Sequence, residues 1–295
     1  MDTNQFTRDY FDSLFIELRH FDAVLPDTTF ELFGETFDTP IMTAALSHLD
    51  KTHPNGMAEL AAGAKKANAV MWAGMGSHEE LDRITATGAK TIKIIKPDID
   101  NNIILKNIEH AEKCGCIAVG MDLDHAFNHK GEYDNIFGEQ MTPKTLEEVA
   151  GFVKATKLPF ILKGVLSLTD TSKCLKAGIK GIVVSHHHGI QDFAIPPLMI
   201  LPKIKKAANN LEIFVDCSVE TGMDAFKSIA LGARAVSIGR ALMKPLSEGG
   251  ADAVAKKILD ITAGLKGAMS RTACAKLTDI NSSIIWSKSG QKLSL

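Results

Sequence analysis

The stretch PFILKGVLSLTDTSKCLKAGIKGIVVSH, Pro159 to His186, decides how this chain folds. Two short apolar runs, PFILKGV and GIVVSH, flank an amphipathic segment that closes on Gly178. Near-continuous apolar runs are the mark of strands buried on both faces of a parallel sheet. A glycine after the last helical residue is the usual left-handed stop. The segment therefore reads as strand, helix, strand, with the two strands parallel.

Working outward, the same unit recurs. Upstream lie PIMTAAL (Pro40 to Leu46), AVMWAG (Ala69 to Gly74), KTIKII (Lys90 to Ile95) and CIAVGMD (Cys116 to Asp122), and downstream EIFVDCS (Glu212 to Ser218) and AVSIGR (Ala235 to Arg240). Helical stretches such as GMAELAAGAKKAN and SVETGMDAFKSIALGA fill the gaps. Eight β-then-α units are the number that closes a (β/α)8, or TIM, barrel, for which ~250 residues are typical. An open doubly wound sheet is the other arrangement, but no G-x-G-x-x-G follows the first strand. No linker or break in composition divides the 295 residues, so one α/β domain over 1–295 is expected. Residues 1–38 read as an N-terminal cap, a helix and a short β-like element, on the end of the barrel away from the mouth. Residues 123–143 form an irregular excursion between the fourth strand and its helix. Connections that long are lids or binding loops, and this one would lie over the mouth.

Composition narrows the partners. Lys plus Arg number 33 against 35 Asp plus Glu, a formal net charge of -2, which favours neither nucleic acid nor an anionic membrane. The N-terminus lacks the pattern of a secretory signal, and no apolar run approaches the ~20 residues needed to span a bilayer. Five scattered cysteines read as reduced thiols, and the expected location is cytoplasmic. Cys114 and Cys116, a C-x-C without a second pair, read as structural thiols rather than metal ligands.

In a barrel, polar residues at the carboxyl ends of the strands converge on one pocket. Here these are Lys93, Lys96, Asp122, Asp124, Lys163, Ser185 to His188, Asp216 and Arg240. A lysine as deep as Lys163 needs an anionic partner; an internal pair with Asp216 and a ligand-facing role are both open. Gly239-Arg240 and the ALMKPLSEGG that follows read as a short extra helix, the phosphate cradle common to this fold.

The run Lys163 to Met243, with HPNGMAELAAGAKKA and GSHEEL more loosely, resembles the flavin-dependent α-hydroxy-acid oxidase and dehydrogenase family, which includes glycolate and lactate oxidases. The resemblance implies an FMN-binding barrel that passes hydride from a CH–OH substrate to flavin N5, assembled as a homo-oligomer, a tetramer. It implies that His187, in the pattern S-N-H-G-G-R-Q, is the catalytic base and that Lys163 supports the reduced ring. Flavin contacts are implied for Ala44, Ala45, Lys93, Lys163, Ser185, Asp216 and Ser218, and phosphate contacts for Gly239 and Arg240.

This chain also departs from the pattern. The substrate-carboxylate arginine is Ile190, the arginine of D-G-G-V-R is Glu220, and the strand-three tyrosine is Ile95. Lys93 stands for a glutamine and Gly120 for a threonine. An apolar side chain does not replace a guanidinium whose charge-assisted bonds are worth ~1.5–3 kcal/mol each. The expected activity is therefore an FMN-dependent dehydrogenation of a small hydroxylated molecule other than a simple short 2-hydroxy acid. A flavin-using isomerase, a metal-dependent lyase and a non-catalytic flavin-binding protein are the alternatives.

Successive side chains on a strand alternate, so His186 and His188 would share one side with His187 opposite. With Ile190 and His125, His186 and His188 are expected to line the substrate pocket. Three adjacent residues do not readily converge on one metal. A site drawing on Asp122, Asp124, His125 and His129 would suit Zn²⁺ or Mn²⁺ but lacks a tight motif, and no metal is expected.

Overall fold

The computed structural model describes residues 2–293. Its eight-stranded parallel sheet is built from β1 (Ile41–Thr43), β2 (Met71–Ala73), β3 (Thr91–Ile95), β4 (Ala118–Asp122), β5 (Phe160–Lys163), β6 (Gly181–Val184), β7 (Glu212–Val215) and β8 (Ala235–Ile238). The strands pair in the order β1-β8-β7-β6-β5-β4-β3-β2. Thr43 N donates to Val70 O and Gly74 N to Leu46 O, which joins the two edge strands and closes the cylinder. The TIM barrel expected from the repeats is thus present. All the strands but β3 and β4 stop short of the end of their apolar runs, so Ala44, Ala45, Ser185 to His187, Asp216 to Ser218, Gly239 and Arg240 all fall in turns just past a strand end.

Outer helices α1 (Gly56–Lys66), α2 (His78–Ala86), α3 (Asn101–Lys113), α4 (Leu146–Lys154), α5 (Leu168–Ala177), α6 (Pro197–Ala207), α7 (Gly222–Ala230) and α8 (Met243–Ser270) surround the sheet. Side chains of Ser77, Asp100, Thr145, Ser167 and Thr221 accept backbone N–H groups at five helix starts, worth ~1 kcal/mol each. Non-helical angles at Gly249 and Gly250 break α8, separating the short extra helix from the long final one. The barrel interior is filled rather than hollow. The Trp72 ring packs edge-on against Phe214, centroids 5.4 Å apart, and its Nε1–H donates to Met42 Sδ at 3.4 Å.

The N-terminal segment divides between the two ends of the barrel, which corrects the expected placement. Its hairpin, Phe30–Leu32 with Glu35–Phe37, covers the far end, where Lys90 pairs with Glu35 and Arg234 donates to Glu31 O. The N-terminal helix, Thr3–Asp12, instead lies at the mouth. There Thr3 donates to Gln191 O, Thr7 bonds His186, and Arg8 donates to Ser218 O. Its buried face, Thr3, Thr7 and Phe11, carries two hydroxyls that suit polar turns better than the apolar bottom of a barrel. The excursion after β4 contains a small hairpin, Asn135–Ile136 with Glu139–Gln140. Its tip residue Phe137 packs against the His48 ring, centroids 4.4 Å apart. No helix among the described residues is long and apolar enough to cross a membrane.

Candidate active site

Register places the first pair. Asp122 and Lys163 are direct partners across β4 and β5, so their side chains emerge side by side at the mouth. Lys163 Nζ lies 3.2 Å from Asp122 Oδ1, 3.8 Å from Asp216 Oδ2 and 3.0 Å from His187 Nδ1. Burial alone would strip the ammonium of its proton. Asp122, then Asp216 and Asp124, more than reverse this and raise its pKa above the ordinary lysine range. Asp122 Oδ2 accepts from Lys96 Nζ at 2.6 Å. Burial favours its neutral form, but Lys163, Lys96 and then His187 hold its pKa well below the usual carboxylate range. Asp122 Oδ1, although buried, has no hydrogen-bond partner among the described residues. Lys163 is therefore paired, yet it still faces open space.

That space is a cleft of about 180 Å³ lined by Ala44, Ala45, Lys163, His187, His188, Asp216, Ser218, Glu220, Ser237, Gly239 and Arg240. Arg240 has no carboxylate partner among the described residues and stands beside Gly239, where a Cβ would come within 3.3 Å of Ala44 Cβ. An unpaired guanidinium, two serines and a tight glycine turn form a cradle whose donors suit a phosphate. Glu220 lines the same cleft and opposes an anion there. A second, larger cavity of about 400 Å³ opens beside it, lined by His48, Met75, His78, Lys93, Ile95, Lys96 and Phe137 among others. Asp122 divides the two, with Lys163 on one side and Lys96 on the other. An elongated ligand with its phosphate at Arg240 and a flat ring reaching toward Lys93 fits this double cleft. The residues present therefore fit FMN.

Lys93 points into the larger cavity, not the phosphate side, and donates to Gly74 O. Burial pushes its pKa down to about 8, partly opposed by Glu80. Ser185 lies outside both linings. Its hydroxyl accepts the His187 N–H at 3.0 Å and so fixes the turn that carries the histidine.

The three histidines do not separate as strand alternation predicts, because β6 has already ended: His187 and His188 share the cleft and His186 turns away. His187 and His188 take left-handed φ angles of 48° and 58°. His187 points into the mouth, where Nδ1 lies 3.0 Å from Asp124 Oδ1 and Nε2 lies 3.0 Å from His125 Nε2. Gly164, at φ 90°, leaves room for Asp124, because a Cβ there would collide with its carboxylate. His186 is not a pocket residue, contrary to expectation. Gly189 N–H donates to His186 Nδ1 at 2.9 Å, so the ring proton resides on Nε2 and is donated to Thr7 Oγ1 at 2.8 Å. His188 is shared, lining the cleft while bonding Asn4 Oδ1 at 2.6 Å. Ile190, 37% exposed, lines neither cavity.

His125 proves closer to the chemistry than a pocket wall. Its Nδ1 lies 3.3 Å from Asp134 Oδ2, a carboxylate 12 residues past Asp122 that nothing in the local pattern singles out. Burial, then the His187 and Lys96 charges, lowers the His125 pKa, which keeps the ring neutral. The proton of a neutral ring belongs on Nδ1, facing Asp134, which leaves the Nε2 lone pair facing His187. The β7 turn also departs from its pattern. The two glycines of D-G-G-V-R are Cys217 and Ser218, held at φ 67° and 61°. Burial and Asp216 push the Cys217 thiol up to about 12, so it is no thiolate nucleophile.

Known proteins resemble this arrangement. A family model described as FMN-dependent dehydrogenase matches residues 1–146 and 128–287. L-lactate oxidase of Nostoc sp. is 35% identical over 169 residues, 56% of this chain and 46% of that oxidase, so the match spans less than half of it. The 2-hydroxyacid oxidase of Dictyostelium discoideum is 26% identical over 297 residues, 88% of this chain and 76% of that protein. The crystal structure of mandelate oxidase superposes with a TM-score of 0.86 at 26% identity, covering 94% of this chain and 88% of that one.

Proposed function

Because this chain belongs to the FMN-dependent dehydrogenase family, we propose that it binds FMN across the double cleft and oxidises the CH–OH group of a small hydroxylated molecule. The observation that carries this reading is the convergence of Lys163, His187 and the unpaired Arg240 on one cleft at the barrel mouth. FMN, when bound, supplies the hydride acceptor. Gly239 and Arg240 would hold its phosphate, Lys163 and Lys93 its ring system, and Ala44 and Ala45 form an apolar wall beside it.

The chain itself manages the proton. His187 takes the substrate hydroxyl proton at Nε2 as general base, a role worth ~10²–10⁴-fold. Its Nδ1–H donates to Asp124 Oδ1, so the ring cannot turn away. Once Nε2 is protonated, the lone pair of His125 Nε2 receives that N–H, and Asp134 anchors the far side of the relay.

The substrate is other than glycolate or lactate, since Ile190 leaves a small carboxylate without its guanidinium. A cytoplasmic location is supported by five cysteines free of disulfides. Homotetramer assembly follows from the resemblance and is tested by light scattering on a sizing column.

The deciding experiment is the visible spectrum of the purified protein under anaerobic titration with hydroxylated substrates. A flavin spectrum bleached by one such substrate, with His187→Asn retaining the spectrum and losing the bleaching, is expected. A colourless protein that takes up no FMN overturns the proposal.

A further inference from the structure

On the outside of the barrel, behind one wall of the larger cavity, three side chains bring one ligand atom each to a common point. His110 lies in the last turn of α3 and Cys114 caps that helix one turn on, while Asp82 comes from α2. Asp82 Oδ1 is 3.0 Å from His110 Nε2 and 3.1 Å from Cys114 Sγ, and Cys114 Sγ is 3.2 Å from His110 Nε2.

This triangle is not a nucleophile relay. In a relay the carboxylate holds the imidazole nitrogen opposite the one that faces the nucleophile. Here oxygen and sulfur crowd the same Nε2. Three atoms mutually this close leave a point just above their plane that is roughly 2.0–2.3 Å from all of them, the range of Zn–N, Zn–O and Zn–S bonds.

We propose that Asp82, His110 and Cys114 form a binding site for a thiophilic divalent cation, Zn²⁺ by ligand chemistry. One thiolate, one imidazole and one carboxylate suit Zn²⁺, whereas Mg²⁺ and Ca²⁺ take oxygen ligands. Water completes the tetrahedron, and the exposed Asp82 side chain gives the ion its way in. Binding releases the Cys114 thiol proton as the S–Zn bond forms. The C-x-C reads in the sequence as two structural thiols, with no metal partner marked for either. The partners of Cys114 are one helical turn back and on the neighbouring helix, whereas Cys116 is buried.

The location gives the ion a lever. The His110 ring stacks on His78, centroids 4.0 Å apart at 8°, and His78 Nε2 bonds Asn107 Oδ1 at 3.0 Å. His78 and Asn107 both line the larger cavity. A bound ion therefore pins α2 to α3 directly behind one wall of that cavity.

Co²⁺ titration of the FMN-loaded protein tests the site, since the d–d bands of tetrahedral Co²⁺ lie to the red of flavin absorption. Bands that saturate at a single equivalent and are displaced by Zn²⁺ are expected. Cys114→Ser and His110→Gln lose them, and Asp82→Asn weakens binding by about tenfold or more, each with an unchanged flavin spectrum and metal-free melting temperature. His125→Gln, which alters the histidine–carboxylate cluster at the mouth, keeps them. Absent bands in the parent protein overturn the proposal, as do bands unchanged in Cys114→Ser and His110→Gln, or bands lost in His125→Gln. Weak uptake of several equivalents without those bands also overturns it.

Discussion

His125 and His187 face each other through their Nε2 atoms at 3.0 Å, with the two rings nearly perpendicular. Only one proton fits between those nitrogens. A neutral His125 leaves that place open for the proton His187 takes from the substrate, and a protonated His125 would oppose its arrival. The lowered pKa of His125 means that this opposition sets in only below the ordinary histidine range. The folded state then binds fewer protons than the unfolded chain, so stability present near neutral pH is lost as the pH falls through about 6.5 and below. His125→Gln is expected to flatten that loss in acid melts while lowering turnover about tenfold at neutral pH. An acid melting curve identical to that of the parent would remove His125 from this role.

Lys93 gives a pH dependence at the other end of the scale. Its pKa is depressed to about 8 by burial, so the folded state pays to keep it charged at neutral pH. Between about pH 8 and 10.5 the unfolded chain binds more protons, and stability rises with pH. Lys93→Met should stabilise the protein by about 1–3 kcal/mol at pH 7, with the gain fading toward pH 10.5. Chemical denaturation at three pH values reads this directly, and a gain independent of pH contradicts it.

Ser218 is held at φ 61° where the family pattern has glycine. The left-handed backbone costs a side-chain-bearing residue about 1–2 kcal/mol, against about 0.5–1 kcal/mol of extra unfolded-state freedom for glycine. Ser218→Gly should therefore stabilise the protein by up to about 1 kcal/mol, visible as a higher melting temperature.

Thr7 and His186 tie the N-terminal helix to the mouth through a buried bond. Thr7→Val leaves the His186 Nε2–H without its acceptor and should cost about 1–3 kcal/mol, whereas Thr7→Ser should cost less. Equal losses in the two variants would show that packing, not the hydrogen bond, holds the helix.

The repeated apolar runs made the barrel readable because a strand covered on both faces has to be apolar along its length, whatever its neighbours. The mouth was legible for a related reason. The turn after a buried strand is where polar side chains concentrate, which marked Lys163, His187, Asp216 and Arg240. Asp134 was not legible. It lies in an irregular excursion with no period, and only the path of that loop brings it to His125. The N-terminal helix was misplaced because its pattern shows that it buries one face, not what that face meets.

The amino-acid sequence by itself determined the repeating β/α units, the strand ends that carry chemistry and the departures at Ile190, Glu220 and Lys93. The units and strand ends are local properties, set by side-chain type and spacing, and the departures are read against the pattern of the resembled family. The tertiary structure alone decided which side each histidine faces, how Lys163 is shared among three carboxylates and that Asp82 meets His110 and Cys114. Those contacts join residues far apart along the chain or on separate elements, and a distance of about 3 Å between them is fixed only when the intervening elements have packed.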